Sequence, residues 1–245
     1  MSSPLLRASR FAARHIAKEQ ISLCKGRGVL SISFDDVPAS ACHIGASLLE
    51  EFEACGTYFV CGGLTNGFEQ QQACHSLEDL MQLQEAGHEI ACHTYSHLNC
   101  AQTSQAQLEM DLAKNQAFFK QHGITSSGFA FPFGAYTLTS KLVAKRQFAY
   151  ARITEGGVNY ASADLYALRA QSLYSTNNNL DYLHHLIRQI AEQGGWLILY
   201  THEVDDSPGP WGCKPEQLRQ LLECAQQQGS QILPIRRGIS YFTSR

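Results

Sequence analysis

The sequence predicts an α/β fold, built as one domain in which strands and helices alternate. Short apolar runs are separated by longer segments whose apolar residues recur at helical spacing. No Pro- or Ser-rich linker and no repeat of fixed period interrupts this alternation. The chain has 245 residues, of which 44% are hydrophobic and 17% are charged, enough for one large core. One α/β barrel or one doubly wound domain matches this size.

In the first half of the chain, three predicted strands are each followed by a helix. Ser76 suits an N-cap with Asp79 at position N3, and Gly87 and Gly123 end two of the helices. A Gly-rich loop over 62–75 separates the second strand from its helix. The predicted strands are 29–34, 56–61 and 88–92, and the predicted helices are 39–55, 76–86 and 104–122.

The second half continues the alternation. Gly194 and Gly195 separate a helix from the most hydrophobic strand, which delivers Thr201, His202 and Glu203 to its end. The predicted strands are 129–131, 148–153, 167–173, 196–200 and 231–235, and the predicted helices are 137–146, 180–193 and 214–228.

The N-terminal segment, residues 1–27, is a basic extension before the main domain. Its apolar stripe is thin, so a surface helix packed on the barrel, or a frayed end, is favoured over a helix that lies on an anionic membrane. It lacks the apolar region of a secretory signal, and no run elsewhere is long enough to span a bilayer. The basic residues are Arg7, Arg10, Arg14, Lys18, Lys25 and Arg27, against Glu19, and the stripe is Leu5, Leu6, Phe11 and Ile16.

The net charge and the cysteines argue against two classes of function, nucleic-acid binding and a Cys/His zinc site. A net charge of -3 and a pI near 6.3 give no basic footprint for nucleic acid. The nine cysteines are an odd number without a C-x-x-C pair, which is typical of reduced thiols in the cytoplasm. Cys92 and Cys100 flank two histidines, but neither thiol has a second pair, so a Cys/His zinc site is disfavoured.

Two adjacent carboxylates, Asp35 and Asp36, follow the first predicted strand. The apolar run stops at them and at Pro38, so they are expected at the strand's C-terminal end, where α/β enzymes place their chemistry. Neighbouring residues at a strand end point in different directions. One carboxylate can therefore bind a cation while the other handles a proton. A turn in which the pair caps the next helix is the alternative.

Two imidazoles four residues apart, His93 and His97, follow the strand predicted at 88–92. If the chain turns helical after that strand, both rings share one face and can hold one ion. His202 ends the most hydrophobic strand, and its proton exchange near neutral pH suits donation to a leaving group. Two imidazoles and one carboxylate leave an open position for a hydrolytic metal, for which Zn²⁺ is the default ion.

The order of these motifs resembles the polysaccharide deacetylase domain (NodB homology, carbohydrate esterase family 4). The resemblance extends from about Val29 to Ile235, and its first two motifs are the specific ones. It implies a distorted (β/α) barrel of about seven strands and a catalytic domain over 28–245. The motifs are Phe34-Asp35-Asp36, His93-Thr94-Tyr95-Ser96-His97, Pro132-Phe133-Gly134 and Tyr200-Thr201-His202.

The resemblance implies a metal-dependent hydrolase. Asp36, His93 and His97 would bind one divalent ion, most simply Zn²⁺. Asp35 would be the general base that takes a proton from the attacking water. The implied substrate is an N-acetylated amino sugar in a polysaccharide, oligosaccharide or glycolipid precursor.

The remaining motifs imply groups that act on the acetamide. The backbone N–H of Phe133 would stabilise the charge that develops on the carbonyl oxygen, and His202 would protonate the departing amine. Pro132 and Tyr200 would line the substrate pocket, where Tyr200 replaces the family's leucine and alters the wall. Trp211, in a Pro-rich stretch after His202, would stack on a sugar ring or anchor its own loop.

One departure from the family concerns the catalytic aspartate. The family's third motif has an arginine two residues before its proline, and that position holds Ala130 here. The arginine normally braces the aspartate that matches Asp35, so another cation is expected. Arg169 is the first candidate and Arg152 the second. The family's Asp-Trp motif is not recognisable.

Three alternatives stay open on the sequence. A cytosolic hydrolase of small cyclic amides or ureides would use the same site. A non-catalytic glycan-binding protein could keep the fold without turnover, which the missing arginine would allow. An iron oxygenase with a two-His-one-carboxylate site fits poorly, because its usual all-β barrel and His-x-Asp spacing are not found.

Overall fold

The computed structural model of the chain describes residues 4–23, 28–69 and 72–244, except for the side chains of residues 4–7. Its strands are β1 (Gln20–Ser22), β2 (Val29–Asp35), β3 (Thr57–Val60), β4 (Phe68–Glu69), β5 (Gln72–Ala73), β6 (Glu89–Cys92), β7 (Gly128–Ala130), β8 (Tyr150–Ile153), β9 (Ser162–Asp164), β10 (Leu168–Arg169), β11 (Gln171–Ser172), β12 (Trp196–Thr201) and β13 (Gln231–Ile232). Its α-helices are α1 (Pro4–His15), α2 (Ala46–Glu51), α3 (Leu77–Glu85), α4 (Gln105–Gln121), α5 (Leu138–Gln147), α6 (Leu180–Gln193), α7 (Pro215–Gln227) and α8 (Ile235–Thr243).

Parallel strands form a nearly closed barrel. The main sheet runs in the order β10, β8, β7, β6, β3, β2, β12 and β11, and β13 pairs beside β2. Ala170 alone separates β10, which pairs with β8, from β11, which pairs with β12. The segment 168–172 therefore joins the two ends of the sheet. Because β10 and β11 act as one strand, the eight strands of this path make a seven-stranded distorted barrel within the described residues, which confirms the predicted fold class.

Alternate residues of β2 point to opposite sides of the sheet, and both sides are buried. The outward residues pack with the surrounding helices in the larger apolar cluster; they are Leu30, Ile32 and Phe34. On the inner side, Val29 joins a second apolar cluster, and Ser31 Oγ accepts a hydrogen bond from Trp196 Nε1 at 2.9 Å. The same side carries Asp35 at the strand's C-terminal end, so a carboxylate reaches the top of the barrel interior.

The opposite end of the barrel is closed by hydrogen bonds to Glu89. Its carboxylate accepts from Thr57 Oγ1 at 2.9 Å and from Tyr150 OH at 2.8 Å. It also accepts from the backbone N–H of Arg236 at 2.9 Å, in the first turn of α8. Burial raises the pKa of the Glu89 carboxyl. Helix α8 therefore plugs this end.

Helix α1 packs on the outside of the barrel against α5. Ser9 Oγ accepts a hydrogen bond from the backbone N–H of Leu138 at 3.0 Å, and the buried Lys141 ammonium donates to the Ala13 carbonyl at 2.7 Å. No helix in the described ranges has the length and apolar character needed to cross a membrane. Lys25, Arg27 and the side chains of Leu5, Leu6 and Arg7 lie outside the described residues. A domain boundary near residue 28 stays a prediction.

Several element bounds differ from the prediction. The helix expected at 39–55 contains a π-helix at Ala41–Gly45 and ends at Glu51. The strand expected at 231–235 ends at Ile232, because Pro234 is the extended N-cap of α8 and cannot donate to a sheet. The strand expected at 167–173 is divided into β10 and β11, and the Gly-rich loop contains the hairpin of β4 and β5.

Candidate active site

The two adjacent carboxylates lie at the C-terminal end of β2 and have different neighbours. Asp35 is the last residue of the strand, and the buried Arg152 guanidinium pairs with it inside the barrel. Asp36 has a φ of 59°, so the chain turns directly after the strand. Its side chain lies at the rim beside three histidines, His93, His97 and His202.

Asp36, His93 and His97 form a cluster that can hold a metal ion. Asp36 Oδ1 lies 3.7 Å from His93 Nε2 and 3.3 Å from His97 Nε2. The ligand atoms of the three residues all lie within 4.8 Å of one another. Two imidazole nitrogens and a carboxylate oxygen are the donors that zinc takes in hydrolytic sites. The donor set therefore fits one divalent cation.

The second nitrogen of each metal-site histidine also faces a partner. His93 Nδ1 lies 2.9 Å from the carbonyl oxygen of Ala130, which leaves Nε2 directed at Asp36. His97 Nδ1 lies 3.5 Å from Glu69 Oε1. Such outer contacts fix the tautomer and the ring orientation of metal-binding histidines. Ala130, which replaces the family's arginine, thus supports the site through its backbone.

The loop that carries the two histidines is not helical, so the helical turn that would place both rings on one face is not formed. Thr94 and His97 have φ values of 64° and 52°, in the left-handed region. Asp111 on α4 holds this loop, because its carboxylate accepts from the backbone N–H groups of Tyr95 at 2.6 Å and Ser96 at 3.3 Å. The rings still meet, with centroids 5.3 Å apart. A tertiary contact, and not helical spacing, brings them together.

Strained backbone is concentrated around the site. Val37, directly after Asp36, is β-branched and has a φ of 56°, and Phe133 has a φ of 59°. The buried His75 holds the turn, because its backbone N–H donates to the Val37 carbonyl at 3.0 Å and its Nδ1 lies 3.0 Å from the same oxygen. Strain of this kind persists only where the surroundings over-determine it, and it is common at active sites.

Burial and neighbouring charges shift the pKa values of the site residues in different directions. Burial lowers the pKa of His93 to about 4, so its imidazole is neutral and able to bind a cation at neutral pH. Burial alone would raise the pKa of Asp36, but the hydrogen bond from His202 and the electrostatic interactions with the neighbouring His93 and His97 hold it below its usual range. Burial would lower the pKa of His202, yet its bond to Asp36 and the charge of Asp35 raise it.

Arg152, the second candidate, is the cation beside Asp35, and the first candidate, Arg169, is not. Arg169 is exposed and donates to the carbonyl oxygens of Glu155 and Gly156, away from Asp35. The reason lies in strand register, since Arg152 on β8 is the partner of Ala130 on β7. Both residues face the barrel interior. The arginine therefore reaches Asp35 from the strand next to the family's usual position.

Two aromatic rings hold the Arg152 guanidinium. Its central carbon lies 4.8 Å from the ring centroid of Phe59 and 5.1 Å from that of Tyr200. Its Nη2 atom bonds Asp35, while Nε and Nη1 are buried without a hydrogen-bond partner in the described ranges. Tyr200, predicted as a pocket residue, thus also fixes this cation.

A cavity of about 530 Å³ is lined in part by Asp36, His93 and His97, the three residues that can hold a metal ion. Asp35 and His202 line it together with the cluster, and His202 Nδ1 lies 3.2 Å from the carbonyl oxygen of Trp211. Trp211 is 49% exposed and lies 5.6 Å from Tyr174, centroid to centroid. The side chain of Phe133 also lines the cavity. The site can therefore enclose a ring-sized substrate above the carboxylates.

The predicted substrate residues divide into two groups. Tyr200 and Trp211 line the cavity, whereas Pro132 is buried, is not among the lining residues and starts the 3₁₀ turn that positions Phe133. Seven lining residues were not predicted as site residues: Pro38, Glu69, Gln72, Cys74, Thr154, Tyr174 and Glu203. Glu203 directly follows His202 and could have been found from that adjacency, whereas Glu69 and Tyr174 belong to no motif.

No cysteine within the described residues is a member of the cluster, although Cys61 Sγ donates to Asp36 Oδ1 at 3.9 Å. Eight of the nine carry free thiols, and Cys24 lies outside the described residues. Cys92 Sγ accepts from Asn115 Nδ2 at 3.1 Å, and burial raises the pKa of this thiol to about 12. Cys100 is equally buried. Burial also raises the pKa of Cys100, and both thiols lie outside the cluster of Asp36, His93 and His97.

Comparisons with known proteins give a family and a fold. The sequence model of the family described as polysaccharide deacetylase matches residues 22–151, more than half of the chain. No curated protein matches the sequence. Among solved structures, a putative polysaccharide deacetylase from Mycobacterium smegmatis is 16% identical, with a TM-score of 0.67 over 91% of this chain and 92% of that chain.

Two further structures share the fold. PdaA from Bacillus subtilis, a family 4 carbohydrate esterase, is 14% identical, with a TM-score of 0.61 over 96% of this chain and 89% of that chain. A family 4 carbohydrate esterase from Streptomyces lividans, solved in complex with acetate, is 17% identical, with a TM-score of 0.60 over 85% of this chain and 93% of that chain. At these identities the likeness shows the barrel architecture.

Proposed function

Because this chain belongs to the polysaccharide deacetylase family, we propose that it is a metal-dependent hydrolase that removes N-acetyl groups from an amino-sugar polysaccharide, oligosaccharide or glycolipid precursor. Water adds to the acetamide carbonyl carbon, the carbon–nitrogen bond breaks, and acetate and a free amino sugar leave. The observation that carries this proposal is the cluster of Asp36, His93 and His97 in the lining of a cavity that Asp35 and His202 also line.

The proposed metal ligands are Asp36 Oδ1 and the Nε2 atoms of His93 and His97. A bound divalent cation, for which Zn²⁺ is the best match to these donors, supplies a Lewis acid for the carbonyl oxygen and for water. Ala130 and Glu69 keep the two rings turned toward Asp36.

Asp35 is the proposed general base. It lines the cavity, and its pairing with Arg152 fixes the carboxylate at the end of β2. His202 is the proposed general acid that protonates the leaving nitrogen, since its ring lies on the other side of Asp36 with Nε2 3.5 Å from Asp36 Oδ2. The backbone N–H of Phe133, held in a strained turn, is the proposed donor to the developing oxyanion.

The position of Arg152 favours an active enzyme over a glycan-binding protein without activity. The loss of the family's arginine at Ala130 is the feature that would favour a binding protein without activity. Arg152 supplies the same charge to Asp35 from the next strand. The brace for the proposed base is therefore present.

We also propose that the protein works in a reducing, cytoplasmic setting. The eight cysteines within the described ranges carry free thiols, and seven of them are buried. Free thiols in this number are typical of proteins kept reduced by the cytosolic thiol pool.

Acetate release tests the proposed function. The full chain, loaded with one equivalent of Zn²⁺, is expected to release acetate from N-acetylglucosamine oligomers, measured by an enzyme-coupled acetate assay. Removal of the metal by a chelator is expected to abolish the release, and added Zn²⁺ is expected to restore it, because the Lewis acid is needed for attack on the amide.

A panel of cyclic ureides and imides, with allantoin as the first member, is the comparison for this assay. Ring opening of these compounds without acetate release from any N-acetylated sugar would replace the proposed substrate by a small cyclic amide. Sugar binding without turnover by the metal-loaded protein would assign the chain to the non-catalytic alternative.

A further inference from the structure

Glu203 lies in the active-site cavity, yet the proposed hydrolysis gives it no role. It directly follows His202, two residues after the end of β12, lines the cavity and is only 4% exposed. Its Oε1 atom is buried and has no hydrogen-bond partner within residues 4–23, 28–69 and 72–244. A buried carboxylate oxygen is costly unless a donor satisfies it. Oε1 is itself closed off by this burial, so the carboxylate can meet a substrate donor only through its other oxygen, Oε2, which is likewise without a hydrogen-bond partner among the described residues.

The fold is built to hold this side chain in place. A Cβ atom at Gly212 would lie 2.5 Å from the Cδ atom of Glu203 and 2.7 Å from its Oε1, and one at Gly209 would lie 2.8 Å from the same oxygen. Both glycines thus leave the space that the carboxylate fills. The backbone is fixed as well, because the Glu203 carbonyl oxygen accepts from the Cys213 N–H at 3.0 Å. The acceptor is preorganised before substrate arrives.

The charges of the cavity favour an uncharged sugar. Four carboxylates line it: Asp35, Asp36, Glu69 and Glu203. Among the described lining residues none is Lys or Arg, and Arg152 lies behind the wall, paired with Asp35. Asp36 and Asp35 are engaged by histidines and by arginine, whereas no salt bridge joins Glu203 to a cation among the described residues. A substrate carboxylate placed beside Glu203, away from the proposed metal ion, would therefore meet a like charge.

On the basis of the deacetylase function proposed above, we propose that Glu203 is a specificity-determining residue that accepts a hydrogen bond from a ring hydroxyl of the bound amino sugar and selects uncharged sugars over sugars that carry a carboxylate. Trp211 lies in the same loop, 49% exposed, and offers an aromatic face to the ring. A fixed acceptor beside an aromatic surface orients a sugar without touching the scissile amide. Glu203 therefore acts on substrate binding, separately from Asp35 and His202.

Kinetics on two oligomers test this inference. The Zn²⁺-loaded full chain is assayed for acetate release from an N-acetylglucosamine tetramer and from a tetramer whose alternate sugars carry a lactyl carboxylate. Glu203→Ala is expected to raise KM for the neutral tetramer about 10- to 100-fold with a much smaller change in kcat, as loss of a hydrogen bond to a charged group predicts. Glu203→Gln is expected to raise KM less, since its amide oxygen still accepts, and to narrow the preference for the neutral tetramer.

Controls separate this inference from the proposed function. Asp206→Asn removes an exposed carboxylate of the same loop and is expected to leave KM and the preference unchanged. Titration of protein fluorescence with the neutral tetramer measures binding without turnover, so absence of acetate release by the wild type would contradict the deacetylase function while Glu203 is still tested. Equal wild-type activity on the two tetramers, or a KM within about twofold of wild type for Glu203→Ala, would overturn the role of Glu203, and the first of these outcomes needs no variant to fold.

Discussion

Replacement of Asp35 by asparagine is expected to lower kcat for acetate release by about 10²- to 10⁴-fold, the usual contribution of a positioned general base. Asparagine keeps the shape and one acceptor oxygen of the side chain, so the contact with Arg152 is retained in part. It cannot take a proton from water. KM and bound metal are expected to change little, because Asp35 is not among the three residues of the metal cluster.

Measuring the bound metal shows whether a variant loses activity through loss of the general base or through loss of the metal ion. Asp36→Asn is the matched comparison, since the neighbouring carboxylate lies 3.3 Å from His97 Nε2 and is a proposed ligand. We expect Asp36→Asn to lose metal and activity together, and Asp35→Asn to lose activity alone. An Asp35→Asn protein that retains more than about a tenth of the wild-type kcat would remove Asp35 from the role of base.

Replacement of Arg152 by alanine is expected to damage both stability and activity. It leaves the Asp35 carboxylate buried without its cation, and breaking a buried ion pair typically costs about 3–5 kcal/mol of unfolding free energy. The carboxylate is then free to rotate away from the cavity, so kcat falls as well. Urea unfolding and acetate release measure the two effects.

Moving the arginine across the strand pair distinguishes its charge from its position. Ala130 and Arg152 are register partners on β7 and β8, so the double variant Ala130→Arg, Arg152→Ala places the cation at the family's usual position. We expect it to regain part of the kcat and stability that Arg152→Ala loses. Arg169→Ala is the control, because Arg169 is exposed and binds only backbone oxygens. A loss of activity in Arg169→Ala with none in Arg152→Ala would contradict the assignment.

Most helices and strands could be predicted because their signals are local. The bounds of α6, Leu180–Gln193, agree with the prediction, and α3 and α4 begin after serine N-caps that form capping boxes. The order of the motifs was enough to identify the family, which the family match to residues 22–151 confirms. Helix α8 was missed, although Ile235, Ile239 and Phe242 recur at helical spacing after Pro234.

The details of the site depended on contacts between distant residues. A helical turn was the condition under which His93 and His97 would share one face, but Asp111, on α4, fixes their loop in another conformation. Arg152 was ranked below Arg169, and only the register of β7 and β8 and its ion pair show that it faces Asp35. Glu69 comes from a hairpin far from any motif. Local sequence patterns do not determine strand register or loop packing. The residues that these contacts bring into the site could therefore not be ranked from the sequence.

The amount of metal bound by the protein and by its variants tests the central claim most directly. Elemental analysis after Zn²⁺ loading and desalting is expected to find one ion per chain in the wild type, and also in His43→Ala, which removes an exposed histidine outside the cluster. His97→Ala and Asp36→Ala are expected to bind at least about 100-fold more weakly and to retain almost none, since even outer contacts of such ligands contribute about 10- to 100-fold. Retention of a full equivalent by both variants, or no ion in the wild type, would contradict the metal site and the hydrolysis that depends on it.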